Sequence, residues 1–196
     1  MKLFLNTQQI SKLLKSAYPW PRDYALFHVA LATGFRAGDL LALKRIDVNV
    51  DGYIRNTIKI TMQKTGRTAE RTLPPACREA ISLYLATRKD KNPFLFRSES
   101  NNSQDREGPM NRSSLQRIFK SYLGIQFDQE QLRGNACHVT RRSVAKIISD
   151  RAGRIEPATR FLGHTSIANT VAYLDMDSYG KQADQIVEAL PWNQTT

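Results

Sequence analysis

The sequence predicts a mainly α domain carrying a small three-stranded antiparallel sheet, and three observations lead there. Apolar residues recur at three- and four-residue intervals through most of the chain, the period of an amphipathic helix. Between residues 46 and 73 the pattern changes to near-alternate Ile, Val and Thr, with turn pairs at Asp51-Gly52 and Thr65-Gly66. The chain has 196 residues, 41% of them hydrophobic, enough for one domain with a substantial core.

Taken in order, "NTQQISKLLKSAY" offers Asn6 or Thr7 as an N-cap and sets Ile10, Leu13 and Leu14 on one helical face; Pro19 and Pro21 end it. "RDYALFHVALATG" is apolar nearly all round, which predicts a central buried helix stopping at Gly34. "RAGDLLALKRIDV" reads as a short helix running into a strand, and the sheet region follows. "ACREAISLYLATRK" returns to helix, whereas the polar "SESNNSQDREGPMN", punctuated by glycine and proline, predicts an exposed loop. Further helices are expected at about 111–122, 138–152, 156–162, 166–174 and 178–189. No repeat or linker divides the chain, so residues 1–196 read as a single domain.

Lys and Arg number 29 against 18 Asp and Glu, a formal charge of +11 that points to an anionic partner, nucleic acid first. No run of 18 apolar residues suggests a membrane span, and the apolar stretch in "MKLFLNTQQ" is too short for a signal peptide, so the expected location is the cytoplasm, with the nucleoid. Cys77 and Cys137 make neither a disulfide framework nor a zinc pattern and read as core thiols. With no phosphate-binding glycine loop and no carboxylate cluster suited to magnesium, no cofactor or metal is expected.

Four segments carry residues suited to chemistry on a phosphodiester. In "ATGFRAGDLLAL", Arg36 follows a glycine at a helix start and Asp39 lies three residues on, where it would orient the guanidinium. In "ITMQKTGRTAERTLPP", Lys64 sits at a hairpin tip. "HVTRRSVAKII" projects His138 and Arg141 from one helix face, joining a proton carrier to a fork that fits two phosphate oxygens. "LGHTSIANTVAYL" holds His164 nine residues before Tyr173. Each has an ordinary reading as well: a surface ion pair, a solvated turn lysine, a capping histidine, a core tyrosine.

Together and in this order, the segments resemble the catalytic domain of the tyrosine recombinase, or phage integrase, family over nearly the whole chain. "TGFRAGDLLAL" is similar to the family's first arginine segment, "QKTGRTAERTLPP" to its lysine hairpin, "HVTRRSVA" to its His-x-x-Arg box and "LGHTSIANTVAYL" to its Leu-Gly-His segment with the tyrosine beyond. Thr140 and Arg142 depart from the residues common at their positions. Members of the family usually carry an N-terminal core-binding domain, and none is expected for this sequence, whose resemblance to the catalytic domain begins almost at Met1. The expectation is a short single-domain member resembling the fimbrial switch invertases, with a fragment as the alternative.

The resemblance implies a tyrosine recombinase catalytic-domain fold and a site-specific recombinase that cuts and rejoins double-stranded DNA through a 3′-phosphotyrosyl link. It implies Tyr173 as nucleophile, His138 as its proton acceptor, Arg36 and Arg141 on the phosphate oxygens, Lys64 as donor to the leaving 5′ oxygen, His164 as a further phosphate donor and Asp39 in support. Monomers assembling as a tetramer on paired sites, helped by an accessory DNA-bending protein, are expected. A noncatalytic DNA-binding regulator and a type IB topoisomerase-like relaxing enzyme are the rival readings. After the tyrosine, Ala183, Ile186, Val187 and Leu190 recur at helical spacing behind Gly180, predicting a short tail helix that either packs back on its own domain or, as the resemblance implies, docks on a neighbouring protomer.

Overall fold

A computed structural model describes residues 2–99, 107–133 and 136–174. Its elements are α1 (Thr7–Ala17), α2 (Pro21–Thr33), α3 (Ala37–Ala42), α4 (Arg45–Val48), β1 (Asn49–Val50), β2 (Tyr53–Ile54), β3 (Thr57–Thr61), β4 (Thr68–Thr72), α5 (Pro75–Thr87), α6 (Arg112–Leu123), α7 (Ala136–Ala152), α8 (Glu156–Leu162) and α9 (Ile167–Leu174). The expected tail helix, with Tyr179 and Gly180, lies outside the described residues, as do residues 100–106 of the expected loop.

Local signals place most of these boundaries. Asn6, not Thr7, caps α1: its side chain accepts from the Gln9 amide at 2.8 Å while the Gln9 side chain accepts from Asn6 at 2.9 Å. Pro21 opens α2 at its first turn, where no amide donor is needed, and Gly34 closes it in the left-handed region at φ 59°. Asn111 caps α6 through the Ser114 amide at 2.7 Å.

α2 is the hub. It packs on α1, α5, α7 and β4, and Ala25, Leu26, Phe27 and Val29 are sealed from solvent. Phe27 meets Phe119 of α6 at 4.9 Å between ring centroids and Tyr122 at 5.1 Å, joining the first helices to the later ones. A smaller apolar cluster forms around Ala145, Ala158, Leu162 and Leu174, with Phe4, Phe161 and Tyr173 against it. α7 contributes to both clusters, through Val139 to one and Ala145 to the other.

The strands are not one three-stranded sheet. They form two antiparallel pairs, β1 with β2 and β3 with β4. The first pair is two residues on each side around Asp51 and Gly52, both at positive φ as a tight hairpin turn requires. The Arg55 amide donates to Val48 O in register with the first pair, and the Leu73 amide donates to Asn56 O in register with the second, so the chain passes from one partner strand to the other between Arg55 and Asn56. β3 and β4 pair over five residues with Lys59 opposite Glu70. The expected helix-into-strand at 36–48 is likewise two short helices, α3 and α4, before the two-residue β1.

Candidate active site

The first anchor is the turn after α2. A Cβ on Gly34 would lie 2.3 Å from Phe161 Cε1, and the backbone is left-handed, so only glycine lets α8 approach this closely. Two residues on, extended Arg36 forms the N-cap of α3, and its Nη1 is buried with no partner among the described residues. A buried guanidinium donor left unmatched by the protein is a place for an outside acceptor.

No hydrogen bond joins Asp39 to that guanidinium among the described residues. Its Oδ1 accepts from the Gln63 amide at 2.8 Å, at the start of the turn that carries Lys64. On the short α3 this buried carboxylate faces the β3–β4 hairpin and fixes where the lysine turn begins. Lys64 is exposed at that turn, and Gly66 takes φ 64° within it.

Arg141 reaches across from α7. It is 3% exposed, and its guanidinium donates through Nη1 to the Gly34 carbonyl and through Nη2 to the Leu162 carbonyl at 2.6 Å. These carbonyls end α2 and α8, where the helix dipoles place negative charge and unpaired acceptors. Arg71 of β4 repeats the bridge one residue earlier on each helix, donating to Thr33 O at 3.1 Å and Phe161 O at 2.6 Å and lying over the Phe161 ring. Arg141 uses two of its five N–H groups this way and keeps three.

α8 and α9 supply the last pair. The His164 amide donates to Thr159 O at 3.1 Å, and its Nδ1 lies 3.0 Å from the Thr170 hydroxyl. Its ring meets Tyr173 edge-on at 5.3 Å, and the Arg141 guanidinium lies 6.0 Å from the centre of the same tyrosine ring. The Tyr173 hydroxyl is buried and meets no well-directed partner among the described residues.

The electrostatics follow from burial among cations. Burial raises the Tyr173 pKa, opposed by the charges of Arg141, Arg142 and Arg36. Burial, then Arg142, Arg141, Arg36 and Arg112, lowers that of His138. Burial followed by Arg141, Arg36 and Lys64 brings His164 down to about 4. Arg141 is lowered to about 10, mainly by burial, and keeps its charge at neutral pH. The resting site thus holds neutral imidazoles, a protonated tyrosine and charged guanidiniums.

The structure brings Arg36, Arg141, His164 and Tyr173 into one neighbourhood, with the charge of Lys64 felt at His164. His138 opens on a cleft of about 640 Å³ beside Arg36, which Arg112, Gln116, Arg117 and Lys120 of α6 also line. Cys77 is a core thiol as expected, but Cys137 is half-buried on this cleft, its thiol donating to Gln116 Oε1 at 2.9 Å. Burial pushes both thiols up, to about 12 and about 11, so neither is a ready nucleophile. Sequence reasoning missed Arg71, Arg112 and Thr170. The basic stripe Arg112, Arg117, Lys120 was visible as charges on one amphipathic helix; nothing local marked the other two. Among the described residues no acidic, histidine and cysteine cluster is suited to a metal, and no helix is long and apolar enough to cross a membrane.

Residues 4–179 match the Phage integrase family. The chain is 24% identical over 170 residues to the tyrosine recombinase XerA of Thermococcus onnurineus, covering 86% of this chain and 56% of that protein. It is 25% identical over 160 residues to the tyrosine recombinase XerD of Chlorobaculum tepidum, covering 80% and 49%. The chain therefore spans about half the length of such curated relatives. Its fold is similar to a crystal structure of XerA recombinase, with TM-score 0.70, 22% identity and coverage of 97% of this chain and 66% of that one. It is also similar to the catalytic domain of bacteriophage HP1 integrase, with TM-score 0.55, 19% identity and coverage of 96% and 97%. With the family's motifs in order and the family match spanning nearly the whole sequence, the chain belongs to the phage integrase family.

Proposed function

We propose that this chain is the catalytic domain of a site-specific DNA recombinase that breaks and rejoins strands through a covalent tyrosine intermediate. The observation that carries the reading is the buried Tyr173 hydroxyl, without a well-directed hydrogen-bond partner among the described residues, beside the Arg141 guanidinium and the His164 ring. A scissile phosphate would supply the acceptors that Arg36 and Arg141 lack and the electrophile that the tyrosine needs.

In this reading Tyr173 Oη attacks phosphorus and gives its proton to neutral His138. The P–O5′ bond breaks, Lys64 protonates the departing 5′ oxygen, and a 3′-phosphotyrosyl link remains. Arg36, Arg141 and His164 hold the nonbridging oxygens as negative charge builds in the transition state. Attack by a 5′ hydroxyl from a partner strand reverses the steps, so the ester energy is conserved and no nucleotide is consumed. The relatives XerA and XerD are tyrosine recombinases, and the similar structure of XerH site-specific recombinase, with TM-score 0.71 and 19% identity, is a post-cleavage complex bound to palindromic difH substrate.

Assembly into a tetramer on paired sites, an accessory DNA-bending protein and location with the nucleoid belong to the same proposal, as does the treatment of residues 1–196 as one domain. The direct test is incubation with a nicked duplex that loses its 5′ fragment after cleavage. An SDS-resistant complex whose DNA-linked peptide contains Tyr173 supports the reading; DNA binding without the link identifies a regulator. Relaxation of supercoiled DNA without site pairing identifies a topoisomerase.

A further inference from the structure

We propose that Thr170 is a positioning residue: its buried hydroxyl donates to Nδ1 of His164, holds the ring proton on Nε2 and so aims a donor at the substrate phosphate. The hydrogen bond itself stands apart from the assigned function, while its effect on rate rests on the recombinase reading above.

The geometry points to a purpose for this hydroxyl. Thr170 lies inside α9 and is 0% exposed. A helical threonine commonly turns its hydroxyl to the carbonyl one turn back. Here its partner is the imidazole of His164 at 3.0 Å, and no other bond from that hydroxyl is present among the described residues. A hydroxyl has one proton. Were Nδ1 protonated and donating, the threonine's own proton would be sealed in a pocket without an acceptor. Donation from threonine to Nδ1 leaves nothing unmatched and fixes the tautomer.

The surrounding loop is fixed from both ends, so the ring has little other freedom. The His164 amide is tied to Thr159 O at 3.1 Å, and Ser166 Oγ accepts from the Asn169 amide at 3.3 Å at the start of α9. Gly163 adopts φ 63°, and a Cβ there would lie 2.7 Å from Met62 Cε, so the turn that delivers His164 sits against the end of β3. Nε2, the nitrogen on the far side of the ring, is neither buried nor bonded among the described residues.

The chain has three histidines, so nitrogen NMR of labelled protein without DNA resolves each ring. Wild type should show His164 with unprotonated Nδ1 and protonated Nε2 at neutral pH. Thr170→Val should give mixed tautomers, and Thr170→Ser should restore the single form. On nicked DNA, Thr170→Val should cleave roughly ten- to a hundredfold more slowly, the scale of one charge-assisted hydrogen bond, and Thr170→Ser should recover the rate. Unmoved His28 and His138 signals report an intact fold. A protonated Nδ1 in wild type overturns the proposal whatever the variants do. So does a Thr170→Val protein in which tautomer and rate do not change together. If wild type shows the single tautomer yet never links to DNA, the recombinase reading falls and the hydrogen bond stands.

Discussion

The imidazole of His164 meets the ring of Tyr173 edge-on, centroids 5.3 Å apart and planes at 90°. The hydroxyl of that tyrosine is buried, has no well-directed hydrogen-bond partner among the described residues, and belongs to a ring whose centre lies 6.0 Å from the Arg141 guanidinium.

Tyr173→Phe therefore removes a buried oxygen that has no well-directed hydrogen-bond partner among the described residues. The variant should unfold at a temperature equal to or above wild type, because an unmatched buried hydroxyl costs about 1–3 kcal/mol. It should bind DNA as before and form no covalent complex. Thermal unfolding and denaturing gel analysis check the two halves; a covalent complex in the variant would move the nucleophile elsewhere, Tyr179 first.

Asp39 holds the Gln63 amide, one residue before Lys64. Lys64→Ala should slow cleavage by about 10²–10⁴, the range of a lost general acid, and Lys59→Ala, opposite Glu70 in the ladder, should not. Asp39→Ala should slow it in part by releasing the hairpin. A substrate with sulfur at the 5′-bridging position needs no proton on departure and should rescue Lys64→Ala fully and Asp39→Ala partly. Absence of rescue in Lys64→Ala would assign the lysine another task.

Gly34→Ala places a methyl 2.3 Å from Phe161 in a left-handed turn. The left-handed backbone costs about 1–2 kcal/mol, and overpacking about 1–3 kcal/mol more. Denaturant titration should show this loss. Cleavage should fall as well, because the Gly34 carbonyl holds Arg141.

Both His138 and His164 have pKa values below the ordinary 6.5, so the folded state prefers them neutral. The unfolded chain binds more protons below that value, and stability should decline as pH falls from about 6.5 toward about 4, the folded value of His164. His164→Gln should flatten this decline in a melting-temperature series against pH. Cleavage should be lost as acid protonates His138, the proposed base.

With a net charge of +11 and a cleft lined by Arg36, Arg112, Arg117 and Lys120, binding should depend steeply on salt. Contact with roughly 6–10 phosphates would lower affinity by about 10³–10⁵ between 50 and 200 mM. Lys120→Ala should reduce the logarithmic slope by about one if that lysine contacts a phosphate. Affinity indifferent to salt would remove this cleft from the DNA path.

Features governed by local energetics are legible in the amino-acid order alone. The Asn6–Gln9 capping box, the Gly34 stop, the Asp51-Gly52 turn and the apolar stripes all act over a few residues, so their signatures are read from neighbouring letters. The order and spacing of Arg36, Lys64, His138, Arg141, His164 and Tyr173 likewise named the family before any coordinate was known. Only the tertiary structure decided which groups meet. Asp39 serves the Gln63 amide rather than Arg36, Arg71 and Arg141 bridge the ends of α2 and α8, and Thr170 engages His164. It also split the expected sheet into two hairpins, with the change of partner strand falling between Arg55, bonded to Val48, and Asn56, bonded to Leu73. Most of these contacts join residues far apart in the chain, and a hydrogen bond's strength depends on angles and tenths of an ångström set by packing, which no periodicity encodes.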